Sequence, residues 1–253
     1  MRVETDLVVC RDLRGLPVAD LAFEADLLER AGRGAQTLFL YSWEKPAVVL
    51  GYGQPEADVD LDWCRRHSLA VLRRLTGGTG VVHCRDLAVS LALPASHPWA
   101  AGIVAMYGRF LEALSRGLRK AGAAVELISE PARPGRSRSR ICFEDQQAET
   151  LLVGRRKVVG CAQARRCGGV LIHAAVSLGL RPELYAGVFR SSEDSVRRGL
   201  ADALADADPE HVAELVIESM TSAVNAERVS EGAVAPSEAM LRRYDDARWA
   251  PMA

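Results

Sequence analysis

Three glycines in four residues, Gly77, Gly78 and Gly80, separate two short runs, 70–74 and 81–83, that otherwise read as β-strands. Glycine has no Cβ, so such a cluster lets the backbone turn sharply and come close to a ligand. Its successive N–H groups can cradle an anion or a carbonyl. The neighbouring Arg73 and Arg74 suit a phosphate or a carboxylate. A tight hairpin with two solvated arginines is the plainer alternative. The cluster is not a P-loop, because no Gly-Lys-Ser/Thr follows, and the strand after it excludes the dinucleotide-binding fingerprint.

Around this cluster the hydrophobic periodicity alternates between strand and helix. Residues 6–11 read as a strand and 17–31 as an amphipathic helix, with Leu21, Glu24, Ala25 and Leu28 at helical spacing. The runs 37–41 and 47–51 read as a hairpin joined through 42–46, 60–67 as a short helix, and 87–93 as a strand. Residues 103–120 place Met106, Phe110, Leu114 and Leu118 on one helical face. The Pro/Gly/Ser/Arg stretch 131–140 reads as a loop. Strands at 149–153, 158–164 and 170–176 follow, and the last 70 residues read as mainly helical, over 207–225 and 237–248. These elements predict an α/β (α+β) fold, a single domain with a largely antiparallel mixed sheet flanked by helices. Residues 1–190 would form the catalytic part and 191–253 a helical extension packed on it.

Bulk properties exclude several classes. The net charge of −1 over 253 residues gives no overall field for nucleic acid or membrane, and the arginine-rich 133–140 lacks interleaved aromatics. No apolar segment follows the polar N-terminus, and runs such as 47–50 are far too short to cross a bilayer. The six cysteines (10, 64, 84, 142, 161 and 167) show no C-x-x-C pair and no His/Cys ligand spacing. Reduced thiols, no metal site and a cytoplasmic location are the expectation.

Two residues stand out chemically. Only three lysines occur among 32 basic residues, and one of them, Lys157, follows two arginines at the start of a strand. An ammonium on a flexible stem can contact a carbonyl or phosphate at a point, as a guanidinium does not. Gly160 just after it fits a close backbone or ligand approach. Cys142 directly follows the arginine-rich loop, whose cations would favour its thiolate, and a thiolate can take an acyl group and pass it on. A buried structural thiol is the alternative there. His83 and His173 are compatible with either core or site positions.

Taken together, the motifs resemble the biotin/lipoate protein ligase superfamily, in its lipoate–protein ligase and cysteine-dependent octanoyltransferase branch. Residues 73–83 are similar to that family's R-R-x-(T/S)-G-G-G-A-V-x-H, with Thr79 at the third glycine and Gly80 at the alanine. Residues 154–163 resemble GRKVxGSAQ, with Lys157 at the acyl-site lysine and Cys161 at the serine, and 169–173 resemble GxLxH. Residues 20–24 resemble NMAxDE, 39–51 resemble FYRWxxPxVSLG, and Tyr244 with Trp249 resembles a terminal YxxxxW. Cys142-Phe143-Glu144 resembles the CFD of the cysteine-using branch.

The resemblance implies a fold related to class II synthetases. It implies a substrate pocket drawing on Arg74, Gly77, Gly78, Thr79, His83, Gly160 and His173, with Lys157 on the acyl carbonyl and Cys142 as nucleophile. The implied reaction moves an octanoyl or lipoyl group from acyl carrier protein to the lysine of a lipoyl domain, such as an H protein or an E2 subunit, with no cofactor. One alternative is a lipoate–protein ligase using ATP and Mg²⁺. Another is a non-catalytic carrier-binding homologue.

Overall fold

The structure, a computed structural model, describes residues 6–129 and 149–245. Its largest feature is a six-stranded sheet. Strands β1 (Asp6–Asp12) and β2 (Gln36–Tyr41) flank helix α1 (Pro17–Gly32) in the chain. After β3 (Ala47–Leu50), α2 (Leu61–Arg66), β4 (Ala70–Arg73) and β5 (Val81–His83) comes β6 (Asp86–Pro94), followed by α3 (Ile103–Lys120). Then follow β7 (Glu126–Ser129), β8 (Glu149–Val153), β9 (Arg156–Lys157), β10 (Val159–Arg166) and β11 (Gly169–Ser177). The chain continues through α4 (Pro182–Phe189), α5 (Glu193–Gly199), α6 (Pro209–Val224), β12 (Arg228–Gly232) and α7 (Glu238–Asp245). The large sheet runs β10-β11-β6-β2-β1-β12. It is antiparallel from β10 to β2, and β1 lies parallel to both of its neighbours.

Strand β6 shows how the period of two divides this sheet. Leu87, Val89, Leu91 and Leu93 all point to one face, where they pack with Met106, Phe110 and Leu114 of α3 and Val212 and Val216 of α6. Ala88 and Ala92 point the other way, among Leu21, Phe23, Leu27 and Leu28 of α1. Small residues on that second face leave room for polar groups. The register sets His173 of β11 opposite Ser90 of β6, and Ser90 opposite Phe39 of β2.

A three-stranded sheet, β4-β3-β5, has its own apolar core against α2, α4 and α5, and β7-β8-β9 forms a third sheet. The 37–41 and 47–51 runs do not pair as the expected hairpin. β2 pairs with β1 and β6, whereas β3 pairs with β4 and β5. The connector cannot act as a tight turn because it buries Trp43, whose indole N–H donates to Asp20 Oδ2 at 2.8 Å. The chain therefore passes from one sheet to the next.

The tail also departs from a purely helical reading. Between α6 and α7, β12 adds a parallel edge strand beside β1. Its residues are mostly exposed, so no apolar alternation marked it in the sequence. Helix α7 is tied to α1 by the Asp26 carboxylate, which accepts hydrogen bonds from Ser237 N–H and from Ser237 Oγ–H. No helix among the described residues is long and apolar enough to cross a membrane.

Candidate active site

The glycine cluster folds as a turn between β4 and β5, two strands that both pair with β3 and not with each other. Its conformation depends on glycine at two places. Gly78 adopts φ +90°, and a Cβ on Gly51 would lie 2.0 Å from the Gly78 carbonyl oxygen. Arg74 holds the turn from within. Its guanidinium donates to the carbonyls of Val49 (3.2 Å), Gly77 (2.8 Å) and Thr79 (2.9 Å), and its Nε donates to Thr76 Oγ1 at 3.0 Å. Arg73 fastens the adjoining loop through the carbonyls of Gly51 (2.7 Å), Tyr52 (3.2 Å) and Gln54 (2.6 Å). Both guanidiniums thus serve the backbone of the site walls.

From Thr76 a buried polar chain runs to α1. Thr76 Oγ1 lies 2.7 Å from His173 Nε2, and His173 Nδ1 lies 3.0 Å from both oxygens of Glu24. Tyr41 O–H donates to Glu24 at 3.1 Å, and the Ser90 hydroxyl donates to the same oxygen. Glu24, Ser90 and Thr76 have no solvent exposure. A carboxylate only accepts, so His173 Nδ1 carries a proton toward Glu24. In the neutral ring Nε2 then accepts from the Thr76 hydroxyl, and in the imidazolium it donates to that oxygen. Burial pushes the Glu24 carboxyl up, but the charge of His173 and the hydrogen bonds from His173, Ser90 and Tyr41 outweigh it. The net pKa lies below the ordinary value.

Asp20, one helical turn earlier on α1, behaves oppositely. Burial raises its pKa to about 8, against the lowering effect of the Trp43 hydrogen bond. Its Oδ1 has no hydrogen-bond partner, so a full negative charge there would go uncompensated.

Two cavities meet the turn. The first is a narrow slot of about 20 Å³ between the large sheet and β3–β5. Leu21, Val49, Val81, Ala88 and Ala175 form its apolar walls, and Arg74, His83, Gly160, Cys161 and His173 also face it. The His83 ring lies 4.6 Å from the Trp43 ring at a tilt of 47°, and its Nδ1 lies 2.6 Å from Asp86 Oδ2. The second cavity is wider and more polar, about 350 Å³, with Gly77, Gly78 and Thr79 on one side and Gln163, Arg165 and Arg166 on another.

The residues singled out in the sequence are therefore divided. Arg74, His83, Gly160 and His173 face the slot, while Gly77, Gly78 and Thr79 face the wide cavity. Lys157 is buried on β9 and lines neither. Cys142 lies outside the described residues, as do the 131–140 loop and Trp249. Sequence reading missed Glu24, Ser90, Tyr41 and Cys161. Glu24 carried a signal, a carboxylate within the apolar stripe of an amphipathic helix, which needs a buried partner. Tyr41 and Ser90 lie in segments that resemble the family's strands, but nothing in the sequence pointed to their hydroxyls. Among the described residues, no three of His, Cys, Asp and Glu gather as a metal site. None of the five described cysteines forms a disulfide. Burial raises the thiol pKa of Cys10 and Cys64, and that of Cys84 to about 12.

The fold is that of lipoate-handling ligases. A putative lipoate protein ligase from T. acidophilum with bound lipoic acid superposes with a TM-score of 0.75 over 99% of this chain and 100% of its own, at 21% identity. Lipoate-protein ligase A bound with ATP gives 0.73 over 96% and 95%, at 22% identity. Residues 17–231 match the lipoyl protein ligase A/B catalytic domain, and the chain belongs to that family. It is 36% identical to the octanoyltransferase LipM of Moorella thermoacetica over 190 residues, 73% of this chain and 69% of the relative. With the octanoyltransferase LipM of Kyrpidia tusciae it shares 33% identity over 227 residues, 86% and 81% of the two chains.

Proposed function

We propose that this chain is a cytoplasmic octanoyltransferase that moves an acyl group from acyl carrier protein to the lysine of a lipoyl domain, through a thioester on Cys142. The observation that carries the reading is its identity above 30% to two octanoyltransferases over most of both chains. Its likeness to the ATP-bound ligase is one of fold.

The Cys142 thiolate attacks the thioester carbonyl. A new C–S bond forms, and the carrier's thiolate leaves and takes up a proton. The lysine amine of the acceptor, an H protein or an E2 lipoyl domain, then attacks the acyl-enzyme. A C–N bond forms, the C–S bond to Cys142 breaks, and the amine loses a proton. The N–H groups at the 77–79 turn steady the oxyanion, joined by Lys157 once its side chain swings out from its buried place on β9. The acyl chain occupies the slot. The Thr76–His173–Glu24 chain fixes the turn relative to the sheet during both steps.

Intact-protein mass spectrometry with octanoyl-acyl carrier protein and no ATP tests this. The expected result is a hydroxylamine-sensitive gain of one octanoyl group that is lost in Cys142→Ala. No adduct, with lipoylation of a carrier domain once ATP, Mg²⁺ and lipoate are supplied, would make the chain a ligase. Carrier binding without either reaction would make it a non-catalytic homologue.

A further inference from the structure

The acyl chain as read above uses the slot and leaves the wide cavity unexplained. That cavity is framed by arginine. Arg165 and Arg166 line it, and Arg73 holds its Tyr52–Gln54 wall from behind. Some exposed arginines face carboxylates, as in Arg181–Glu183 (2.8 Å) and Arg242–Glu238 (3.0 Å). These three do not.

Arg165 donates to Ala100 O (2.7 Å), Gly102 O (3.2 Å) and Gln163 Oε1 (2.9 Å). Arg166 donates to Leu75 O at 3.1 Å, and its guanidinium sits 5.4 Å from the centre of the Tyr52 ring. Among the described residues no carboxylate comes within ion-pair reach of Arg73, Arg165 or Arg166. Carbonyl oxygens satisfy their N–H groups without neutralising their charge. Asp58 also lines the cavity and accepts from Gln54 Nε2 at 3.2 Å, so two cations on the wall and one behind it stand against one anion. A polar cleft of this size with a cationic rim attracts an anionic ligand.

We infer that the wide cavity seats the phosphate-bearing arm on which the acyl group arrives. Its phosphate lies at Arg165 and Arg166, its amides face Gln163 and Gln54, and its thioester end lies at the 77–79 turn, whose Arg74 also faces the slot. This rests on the acyl-transfer reading. A nucleotide offers the same chemistry, a phosphate on a polar organic body, and the experiment separates the two.

Calorimetric titration of the whole protein with 4′-phosphopantetheine, pantetheine and ATP, in wild type, Arg166→Gln and Arg165→Gln, reads the site directly. Glutamine at 166 keeps a polar amide and removes the charge. Wild type is expected to bind 4′-phosphopantetheine at least roughly tenfold more tightly than pantetheine, the usual size of a charged hydrogen bond. In each variant that ratio should fall toward one. The rate of acyl-enzyme formation from octanoyl-4′-phosphopantetheine against octanoyl-pantetheine should lose its preference in the same way. Equal binding and equal rates for the two arms in wild type would overturn the assignment and leave acyl transfer standing. Arginine-dependent binding of ATP without phosphate preference between the pantetheines would make the cavity a nucleotide site and overturn it. No acyl-enzyme from either thioester would remove the acyl-transfer reading, and this assignment with it.

Discussion

The two faces of the large sheet are built from the same strands and do opposite jobs. Toward α3 and α6, β6 presents Leu87, Val89, Leu91 and Leu93 to a wholly apolar layer. Toward α1, the alternate residues are Ala88, Ser90 and Ala92, and a buried carboxylate, imidazole and phenol meet there. One face supplies stability through the area it removes from water. The other gives up some of that area for a polar chain that reaches the glycine turn. Function sits where small residues make room.

The sharpest break in this comparison is Glu24→Ala. It leaves His173, Ser90 and Tyr41 facing an empty buried site, and breaking a buried pair in this way costs about 3–5 kcal/mol. Urea unfolding should show that loss, and acyl transfer should fall with it because Thr76 and the turn lose their anchor. Leu91→Ala on the opposite face should cost about 2–5 kcal/mol by cavity formation. Its kcat per folded molecule should stay close to wild type. If Leu91→Ala removed kcat while Glu24→Ala spared it, the two faces would not be divided as described.

Two of the carboxyls of α1, Asp20 and Glu24, sharpen the comparison through pH. Asp20 has a native pKa of about 8 against an unfolded value of about 3.9. Below pH ~4 both states hold the proton and the contribution is full. As pH rises toward 8 the unfolded chain releases its proton and the native state does not, so stability falls and then levels off. Asp20→Asn should remove this decline, worth on the order of a few kcal/mol between pH 4 and 8. Glu24, lowered by its partners, works in the other direction, and its contribution is lost as pH falls below the ordinary carboxylate range. Denaturation midpoints of wild type and Asp20→Asn that stay parallel across this window would contradict the assignment.

Much of this architecture is legible in the sequence, for reasons that also mark the limit. Long periodic segments such as α3, and strands bounded by glycine or charge such as β10 and β11, report their own conformation. The glycine turn stands out by its clustering, and Lys157 because lysine is rare in this chain. What stays hidden depends on partners far away in the chain. Ser90 looks like an ordinary strand residue until β11 places His173 opposite it. Trp43 reads as a turn residue until α1 offers Asp20. β12 has too polar a face to announce a strand that β1 stabilises. Sequence shows the cations of Arg73 and Arg74 but not the carbonyls that both guanidiniums hold.

The smallest effects test the turn and its neighbour, at two glycines of which the sequence singles out only Gly77. Gly51→Ala would put a methyl group 2.0 Å from the Gly78 carbonyl oxygen, which is backbone and cannot swing aside. The two loops must separate, at a cost of about 1–3 kcal/mol, as for overpacking elsewhere. Separation also pulls at the Gly77 and Thr79 carbonyls that Arg74 holds, so transfer activity should drop together with the melting temperature. Gly77→Ala meets nothing within 4 Å and needs no unusual φ. Its stability should stay within about 0.5 kcal/mol of wild type. A new methyl at the rim of the wide cavity should then show in substrate binding alone. Equal destabilisation by the two substitutions would mean that the turn is held by backbone conformation in general, and the specific contact between Gly51 and Gly78 would lose its place in the account.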